Sequence, residues 1–171
     1  MKVEVKVTNI VNQPDLEAIV NSANAKLQLG SGVAGAIHTA AGSELEEFCK
    51  PYAPLAFGHA IISPGFKLPN RWVIHTRAAN YLLDDDAEGV LRRCLAAVFD
   101  LAKARGIKSL GLPAIGAGVF KFPIDLVAEI TAQAINAHQN SGFELVRICV
   151  IDSATQGKFL KVFDAGQIPS T

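Results

Sequence analysis

Residues 30–38 have the sequence Gly-Ser-Gly-Val-Ala-Gly-Ala-Ile-His, and an alanine-rich segment that ends near Gly42 follows directly. Glycine lets the backbone approach an anion closely and turn its N–H groups towards it, and a helix N-terminus adds about half a positive charge. The stretch therefore predicts an anion-binding loop that leads into a helix. Its GxGxxG spacing also occurs in Rossmann dehydrogenases, but residues 21–29 separate it from the preceding apolar run. No acidic residue ends a second strand about 20 residues later, which argues against that class.

A second glycine-rich loop, Pro-Ala-Ile-Gly-Ala-Gly-Val-Phe at residues 113–120, directly follows an apolar run at 108–112. Ligands of α/β proteins bind outside the carboxyl ends of the strands, so this loop is well placed to contact one. Tight turns and close packing would account for one such loop alone. Two loops without a P-loop lysine after either predict a diphosphate held from both sides by backbone amides, as in a diphosphate-bridged nucleotide.

Hydrophobic periodicity outside the two loops predicts an α/β fold. Segments typical of strands occur at 2–8, 18–20, 71–76, 108–112 and 145–151. Helical periodicity occurs at 43–49, at 87–105 and from Pro123 to about residue 140, and Ser43 and Glu46 have capping-box spacing. The pattern predicts a three-layer α/β/α sandwich with a mixed, mostly parallel central sheet. We expect a single domain, 1–171, with a flexible tail at about 164–171.

Composition argues against several function classes. The 171 residues carry 16 basic and 16 acidic side chains, so nothing favours binding to nucleic acid through bulk charge. The longest uncharged segment, residues 27–43, is interrupted by glycines and predicts no membrane span. The amino terminus does not resemble a secretory signal, so we expect a cytoplasmic protein, by default a monomer. Three scattered cysteines lack metal-ligand spacing, and Asp84-Asp85-Asp86 is interpreted as a helix cap, so we expect no metal.

Four segments together resemble successive signature segments of the macrodomain family. They are Asp-Leu-Glu-Ala-Ile-Val-Asn-Ser-Ala-Asn at 15–24, the loop at 30–38, the pair 62–65 and 72–76, and the loop at 113–120. Their order and spacing also match, and the resemblance covers about residues 3–163. It implies the macrodomain fold, ADP-ribose or an ADP-ribosylated protein as partner, and no cofactor. Many members of the family hydrolyse ADP-ribosyl esters of acidic side chains or deacetylate O-acetyl-ADP-ribose.

The resemblance also implies roles for individual residues. Asn24 matches the asparagine that hydrogen-bonds the distal ribose, and it is the predicted catalytic residue; the alternative is a structural asparagine in a turn. Phe120 would cover the distal ribose, unless it simply packs in the core. The ligand-binding residues implied for the two sides of the diphosphate are Gly30, Ser31, Gly32, Val33 and Ala34, and Gly116, Ala117, Gly118 and Val119. Pro113, Ile115 and Phe120 of the second loop are also implied to bind the ligand. Those implied for the adenine end are Asn9, Ile10, Ile151 and Asp152.

Three positions depart from the family pattern. Many active hydrolases have an aspartate where this chain has Ala34, although members with a GVAGA-like run still hydrolyse, using a ligand phosphate and a positioned water. Asn9 replaces the aspartate that accepts from the adenine amino group, and it accepts without a charge. Ile151 stands where an aromatic residue commonly stacks on adenine, and Phe159 lies several residues further on.

These departures leave three functions open. The first is an ester hydrolase that acts without a metal through a bound water, the second a reader that binds ADP-ribose without turnover, and the third a binder of a related nucleotide. Ala34 favours the reader, and Asn9 with Ile151 raises the third function. His38 and His75 are interpreted as hydrogen-bonded structural histidines and not as acid–base catalysts.

Overall fold

The computed structural model describes residues 1–165, and the end of the predicted tail, residues 166–171, lies outside this range. In chain order the elements are β1 (Lys2–Val7), β2 (Ala18–Ser22), α1 (Gly32–Ala41), α2 (Ser43–Cys49), β3 (Ala60–Pro64), β4 (Trp72–Thr76), α3 (Ala87–Ala104), β5 (Ser109–Pro113), α4 (Ile124–Ala137), β6 (Leu145–Val150) and α5 (Ser153–Asp164). Single 3-10 turns occur at Lys50–Tyr52 and Gly118–Phe120. Asp164, which the prediction assigned to the tail, is the last residue of α5.

The six strands form one sheet in the order β1-β6-β5-β2-β4-β3. All neighbouring pairs are parallel except β3 and β4, which are antiparallel. This arrangement confirms the predicted mixed, mostly parallel sheet. Because the five parallel strands run in one direction, their carboxyl ends lie along the same edge of the sheet.

Helices cover both faces of the sheet, as the prediction of three layers requires. Successive side chains of a strand point to opposite faces. On β2, Ala18 and Val20 pack with α3, α4 and α5, whereas Ile19 packs with α1 and α2. On β4, Ile74 packs with α3, α4 and α5, and Val73 packs with α1 and α2. The sheet therefore carries one hydrophobic core on each face, with three helices on one side and two on the other.

The helix caps differ from those predicted. The residue at the N-cap of α2 is Gly42, and no side chain caps this helix; the carboxylate of Glu46 instead accepts from the backbone N–H of Leu29 at 3.0 Å. Asp86 occupies the N-cap of α3, but its carboxylate pairs with Arg93 at 3.4 Å and makes no capping bond. The predictions of a capping box at α2 and of capping by Asp84-Asp85-Asp86 at α3 were therefore wrong, because neither helix has a side-chain capping bond.

Two elements were not assigned from the sequence. The edge strand β3 has only five residues and ends in Pro64. Helix α5 contains Gly157 and few apolar residues in its first two turns. Phe159, a possible replacement for the missing aromatic residue, is completely buried in the core under α5, so it does not face a ligand. Within residues 1–165, none of the helices combines the length and the apolar character needed to cross a lipid bilayer.

Candidate ligand-binding cleft

A cleft of about 930 Å³ lies at the carboxyl edge of the parallel strands, in the volume range of small-molecule sites. Its walls come from the ends of β1, β6, β5 and β2, the first turns of α1 and α5, and the loop after β5. The lining residues are Val7, Thr8, Asn9, Ile10, Ser22, Ser31, Gly32, Val33, Ala36, Pro113, Ala114, Ala117, Gly118, Val119, Phe120, Ile124, Cys149, Val150, Ile151, Asp152 and Thr155. The cleft is where the topology of an α/β sheet places a ligand.

Most of the predicted site residues line this cleft. The twelve that do are Asn9, Ile10, Ser31, Gly32, Val33, Pro113, Ala117, Gly118, Val119, Phe120, Ile151 and Asp152. Five predicted residues are not among the lining residues: Asn24, Gly30, Ala34, Ile115 and Gly116. Sequence reasoning missed Val7, Ser22 and Val150, which end their strands, and Cys149, which precedes Val150; this position at the strand ends could have indicated them. Thr155 was missed because α5 was not predicted.

Both glycine loops contribute residues to the lining of the cleft. Gly32, at the start of α1, has φ +58°, and Gly118, in the loop after β5, has φ +68°. Both values lie in the left-handed region that favours glycine, and a Cβ at either position would meet no atom within 4 Å. Both glycines therefore border open space, and the first N–H groups of α1 have no intrahelical partner.

Asn24 lies beside the first glycine loop and is bound to the turn that leads into it. Its Nδ2 donates to the carbonyl of Gln28 at 2.8 Å, and its Oδ1 accepts from the N–H of Gln28 at 3.0 Å. A Cβ on Gly30 would come within 2.9 Å of the Asn24 Nδ2. An asparagine amide has two N–H groups and two oxygen lone pairs, so one of each remains for another partner.

Within residues 1–165, only two side chains that line the cleft can change charge. Burial raises the pKa of the Cys149 thiol to about 12, so this thiol is protonated near neutral pH. The Asp152 carboxylate caps α5 by accepting from the N–H of Thr155 at 2.7 Å, and this bond lowers its pKa. Cys149 is the next-to-last residue of β6, and Asp152 lies two residues beyond the end of this strand. Ala34 is buried in α1 and offers no acid or base.

The two histidines of the signature segments are buried and do not line the cleft. Asn21 donates to Nδ1 of His75 at 3.0 Å, which leaves Nε2 of His75 to donate to Ser63 Oγ at 2.8 Å. Burial lowers the pKa of His75 to about 3, so its ring is neutral, as the structural interpretation requires. Burial also lowers the pKa of His38, but neither of its ring nitrogens has a hydrogen-bond partner among the described residues. The prediction that His38 is a hydrogen-bonded histidine was therefore wrong.

A buried arginine is hydrogen-bonded to the turn that follows β1, at one end of the cleft. Arg147 on β6 is 6% exposed and donates to both oxygens of Asp15 at 2.8 and 2.7 Å, to Glu4 at 2.7 Å and to Gln13 at 2.8 Å. Gln13 in turn donates to Thr8 Oγ1 at 3.0 Å and to the Asn9 carbonyl at 2.8 Å. The network therefore connects a charged cluster in the protein to two residues that line the cleft.

The same cluster predicts acid sensitivity. Hydrogen bonds from Arg147 lower the pKa of Asp15 from 3.8 to about 2. A carboxylate with a lowered folded-state pKa stabilises the fold above its unfolded pKa, and this contribution is lost as pH falls towards the folded value. We expect the free energy of unfolding to decline between about pH 4 and pH 2. Urea titrations across this range should show a shallower decline in Asp15→Asn; an unchanged slope would contradict the assignment. The effect is moderate because the Asp15 side chain is 56% exposed.

Comparison with known proteins agrees with the fold and the cleft. The Macro domain family model matches residues 20–131, which include both glycine loops. Over 135 residues the chain is 38% identical to the O-acetyl-ADP-ribose deacetylase of Salmonella newport, covering 74% of this chain and 73% of that protein. The solved structure of the Oceanobacillus iheyensis macrodomain with ADP is similar with a TM-score of 0.90 and 31% identity, covering 95% of this chain and 90% of that one.

A second solved structure is the Trypanosoma brucei macrodomain in complex with ADP-ribose. It is similar with a TM-score of 0.84 and 25% identity, covering 96% of this chain and 69% of that chain. The family match spans more than half of the present chain, and the similar structures extend over nearly all of it. The chain therefore belongs to the macro domain family.

Proposed function

We propose that this protein binds ADP-ribose, free or attached to a protein, and hydrolyses ADP-ribosyl or O-acetyl-ADP-ribosyl esters. The observation that carries the proposal is the pair of glycine loops, both of which contribute residues to the lining of one cleft. Their backbone N–H groups suit a diphosphate, and no lysine or arginine lines the cleft within residues 1–165. The name of the Salmonella relative and the ADP bound by the Oceanobacillus neighbour support the same ligand class.

The match of the site residues to the family pattern suggests how ADP-ribose would lie. In this arrangement the diphosphate occupies the space between Gly32 and Gly118, beside the N-terminus of α1. The base lies towards Asn9 and Ile151, and the distal ribose lies towards Phe120. The distal ribose then approaches the side of the first loop on which Asn24 is placed.

We assign the catalytic role to Asn24. Its two hydrogen bonds with Gln28 fix the orientation of the amide and leave one N–H and one lone pair for a ribose hydroxyl and a water. For an acetyl ester, the water oxygen adds to the carbonyl carbon and the bond to the ribose oxygen breaks. The products are acetate and ADP-ribose, so water is the only co-reactant. Since Ala34 offers no base and only Cys149 and Asp152 are titratable among the described residues that line the cleft, a phosphate oxygen of the ligand accepts the proton from the water and passes it to the departing ribose oxygen.

One observation favours a non-catalytic reader instead. Cys149 and Asp152 are the titratable side chains in the cleft among the described residues, and both lie at its base end. A protein that only binds ADP-ribose needs no proton acceptor near the distal ribose, and Ala34 provides none. The reader would use the same loops and the same orientation of the ligand.

One experiment separates these functions. The protein is incubated with a target mono-ADP-ribosylated on glutamate and, separately, with O-acetyl-ADP-ribose, and product release is followed. ADP-ribose binding is measured in parallel by calorimetry. Release above the buffer control supports the hydrolase. Binding without release supports the reader, and the absence of both overturns the proposal.

We expect Asn24→Ala to reduce turnover by about tenfold or more, because a lost hydrogen bond in the transition state is worth roughly 1.5 kcal/mol. The affinity for ADP-ribose should change by less than about threefold, since the loop amides still hold the diphosphate. Steady-state and calorimetric measurements on the same preparation test this split. Asn136→Ala, an exposed change on α4, is the matched control. An equal loss of binding and turnover would mean that Asn24 only positions the loop.

A further inference from the structure

An exposed apolar patch lies beside Phe120, a residue of the cleft wall. Tyr81, Leu82 and Leu83, between β4 and α3, are 39%, 71% and 82% exposed. Val119 of the second glycine loop is 58% exposed. Single exposed apolar side chains are common on proteins, whereas three in sequence with a fourth beside them are typical of a binding surface. These four residues are called the apolar patch below.

Two hydrogen bonds connect the patch to the wall of the cleft. The N–H of Tyr81 donates to the carbonyl of Phe120 at 2.8 Å, and Nδ2 of Asn80 donates to the carbonyl of Val119 at 3.4 Å. Both acceptors belong to residues that line the cleft. Consecutive Cα atoms are about 3.8 Å apart, so the Cα atoms of the two leucines lie within about 8 Å of that of Tyr81. The patch is therefore continuous with the wall of the cleft.

The turn that carries the leucines is stabilised by four internal hydrogen bonds. The Asn80 carbonyl accepts from the N–H groups of Leu83 and Asp84, at 3.3 and 3.0 Å. The Asn80 Oδ1 accepts from the N–H of Leu82 at 2.9 Å, and Oδ2 of Asp84 accepts from the N–H of Asn80 at 2.8 Å. A partner that covers the leucines would remove apolar surface from water and would have to order little of this chain.

Charge and size narrow the choice of partner for the patch. Asp84 and Asp85 directly follow the leucines, and neither forms an ion pair with another of residues 1–165. An anionic lipid surface or a nucleic acid would place further negative charge beside these carboxylates. A stable interface with a second copy of the chain takes about 20–30 residues a side, far more than the patch provides. A short, uncharged apolar peptide segment fits both observations.

On the basis of the proposed function, we propose that the apolar patch docks the protein to which ADP-ribose is attached. In that function the distal ribose lies towards Phe120, and this ribose carries the bond to the target protein. The target chain therefore leaves the cleft beside the patch, which favours targets with large apolar side chains next to the modified residue. Free ADP-ribose and O-acetyl-ADP-ribose carry no such side chain and gain nothing from the patch.

The test is calorimetric titration with free ADP-ribose and with two short peptides. Each peptide carries ADP-ribose on a central glutamine, which is flanked by leucines in one peptide and by serines in the other. The amide linkage to glutamine is not an ester, so binding is measured whether or not the protein hydrolyses esters. We expect the leucine peptide to bind about tenfold more tightly than the serine peptide, the factor expected for partial burial of apolar side chains. Equal affinities of the two peptides overturn the inference.

The double variant Leu82→Gln, Leu83→Gln makes the patch polar and keeps side chains of similar size. Both leucines are exposed and contribute only backbone groups to the bonds of the turn, so the variant should fold. It should lose the preference for the leucine peptide and keep its Kd for ADP-ribose within about twofold. Tyr52→Gln is the control, because Tyr52 is 50% exposed and does not line the cleft. The control should keep the preference; a double variant that also keeps it overturns the inference.

The titrations separate this inference from the proposed function. If ADP-ribose binds and the two peptides bind equally, the inference fails and the proposed function remains. If neither ADP-ribose nor a modified peptide binds, both fail. Light scattering on the natural chain and on the double variant tests the other occupant of the patch. A dimer of the natural chain that the double substitution dissociates would mean that a second copy covers the patch, and it would overturn the inference.

Discussion

Replacing Arg147 with alanine is expected to lower the free energy of unfolding by about 3–5 kcal/mol, the usual effect of removing one partner from a buried ion pair. The guanidinium is buried between β1 and the loop that contains Asp15, and it makes two charged hydrogen bonds to that carboxylate. Without it, Glu4 keeps a side chain that is only 10% exposed, with Lys2 at 3.0 Å as its nearest remaining cation. Gln13 also loses the donor that fixes its side chain.

Urea denaturation monitored by circular dichroism measures this loss, and thermal unfolding should shift down by roughly 10 °C for a domain of this size. Arg92→Ala is the control, since Arg92 forms an exposed pair with Glu88 at 3.1 Å. Its removal should change stability by about 0.5 kcal/mol or less. Arg147→Lys should recover little of the lost stability, because an ammonium group cannot reproduce the bidentate contact with Asp15. Equal effects of Arg147→Ala and Arg92→Ala would contradict the role assigned to the buried network.

The Arg147 network shows why part of the site could not be predicted from the sequence. Arg147 contacts residues that precede it by 132 and 143 positions, and no local pattern connects them. In the sequence it simply interrupts an apolar strand. Its contacts depend on β1 and β6 being neighbours in the sheet, which is a property of the topology and not of either segment.

Local signals, in contrast, were sufficient for the parts of the cleft that lie in single segments. The glycines at 30–35 and 116–118 have local conformational reasons to be glycine, and the apolar strands before them have a local periodicity. The fold class followed from the same periodicity. Asn24 was recognised through its family motif, but its two bonds to Gln28 depend on the shape of a turn that the sequence alone does not specify.

The second large effect is expected at Gly35, within α1. A Cβ at this position would lie 2.3 Å from the carbonyl oxygen of Gly30 and 3.3 Å from its carbonyl carbon. The opposing atoms belong to the backbone, so the clash is relieved only if the loop at 30–34 moves away from the helix. Alanine is the best helix former, so any loss in Gly35→Ala comes from this contact and not from helix propensity.

We expect Gly35→Ala to weaken ADP-ribose binding by about a hundredfold, because a displaced loop loses one or two charged hydrogen bonds to the diphosphate, together worth roughly 3 kcal/mol. Calorimetry measures the affinity, and circular dichroism at the same temperature establishes that the variant is folded. Gly157→Ala is the matched control: it makes the same change in an exposed part of α5, where a Cβ meets nothing within 4 Å. This control should keep its affinity and gain about 0.5–1 kcal/mol of stability.

The comparison of these two alanine variants tests the central part of the proposed function. Both add one methyl group to a helix, and they differ in whether that group displaces the loop at 30–34. A folded Gly35→Ala protein with unchanged affinity would mean that the amides of this loop do not hold the diphosphate. Since the cleft offers no lysine or arginine among the described residues, an anion would then have no sufficient donor on this wall. The ligand would have to bind through the loop at 113–120 and the first turn of α5 instead.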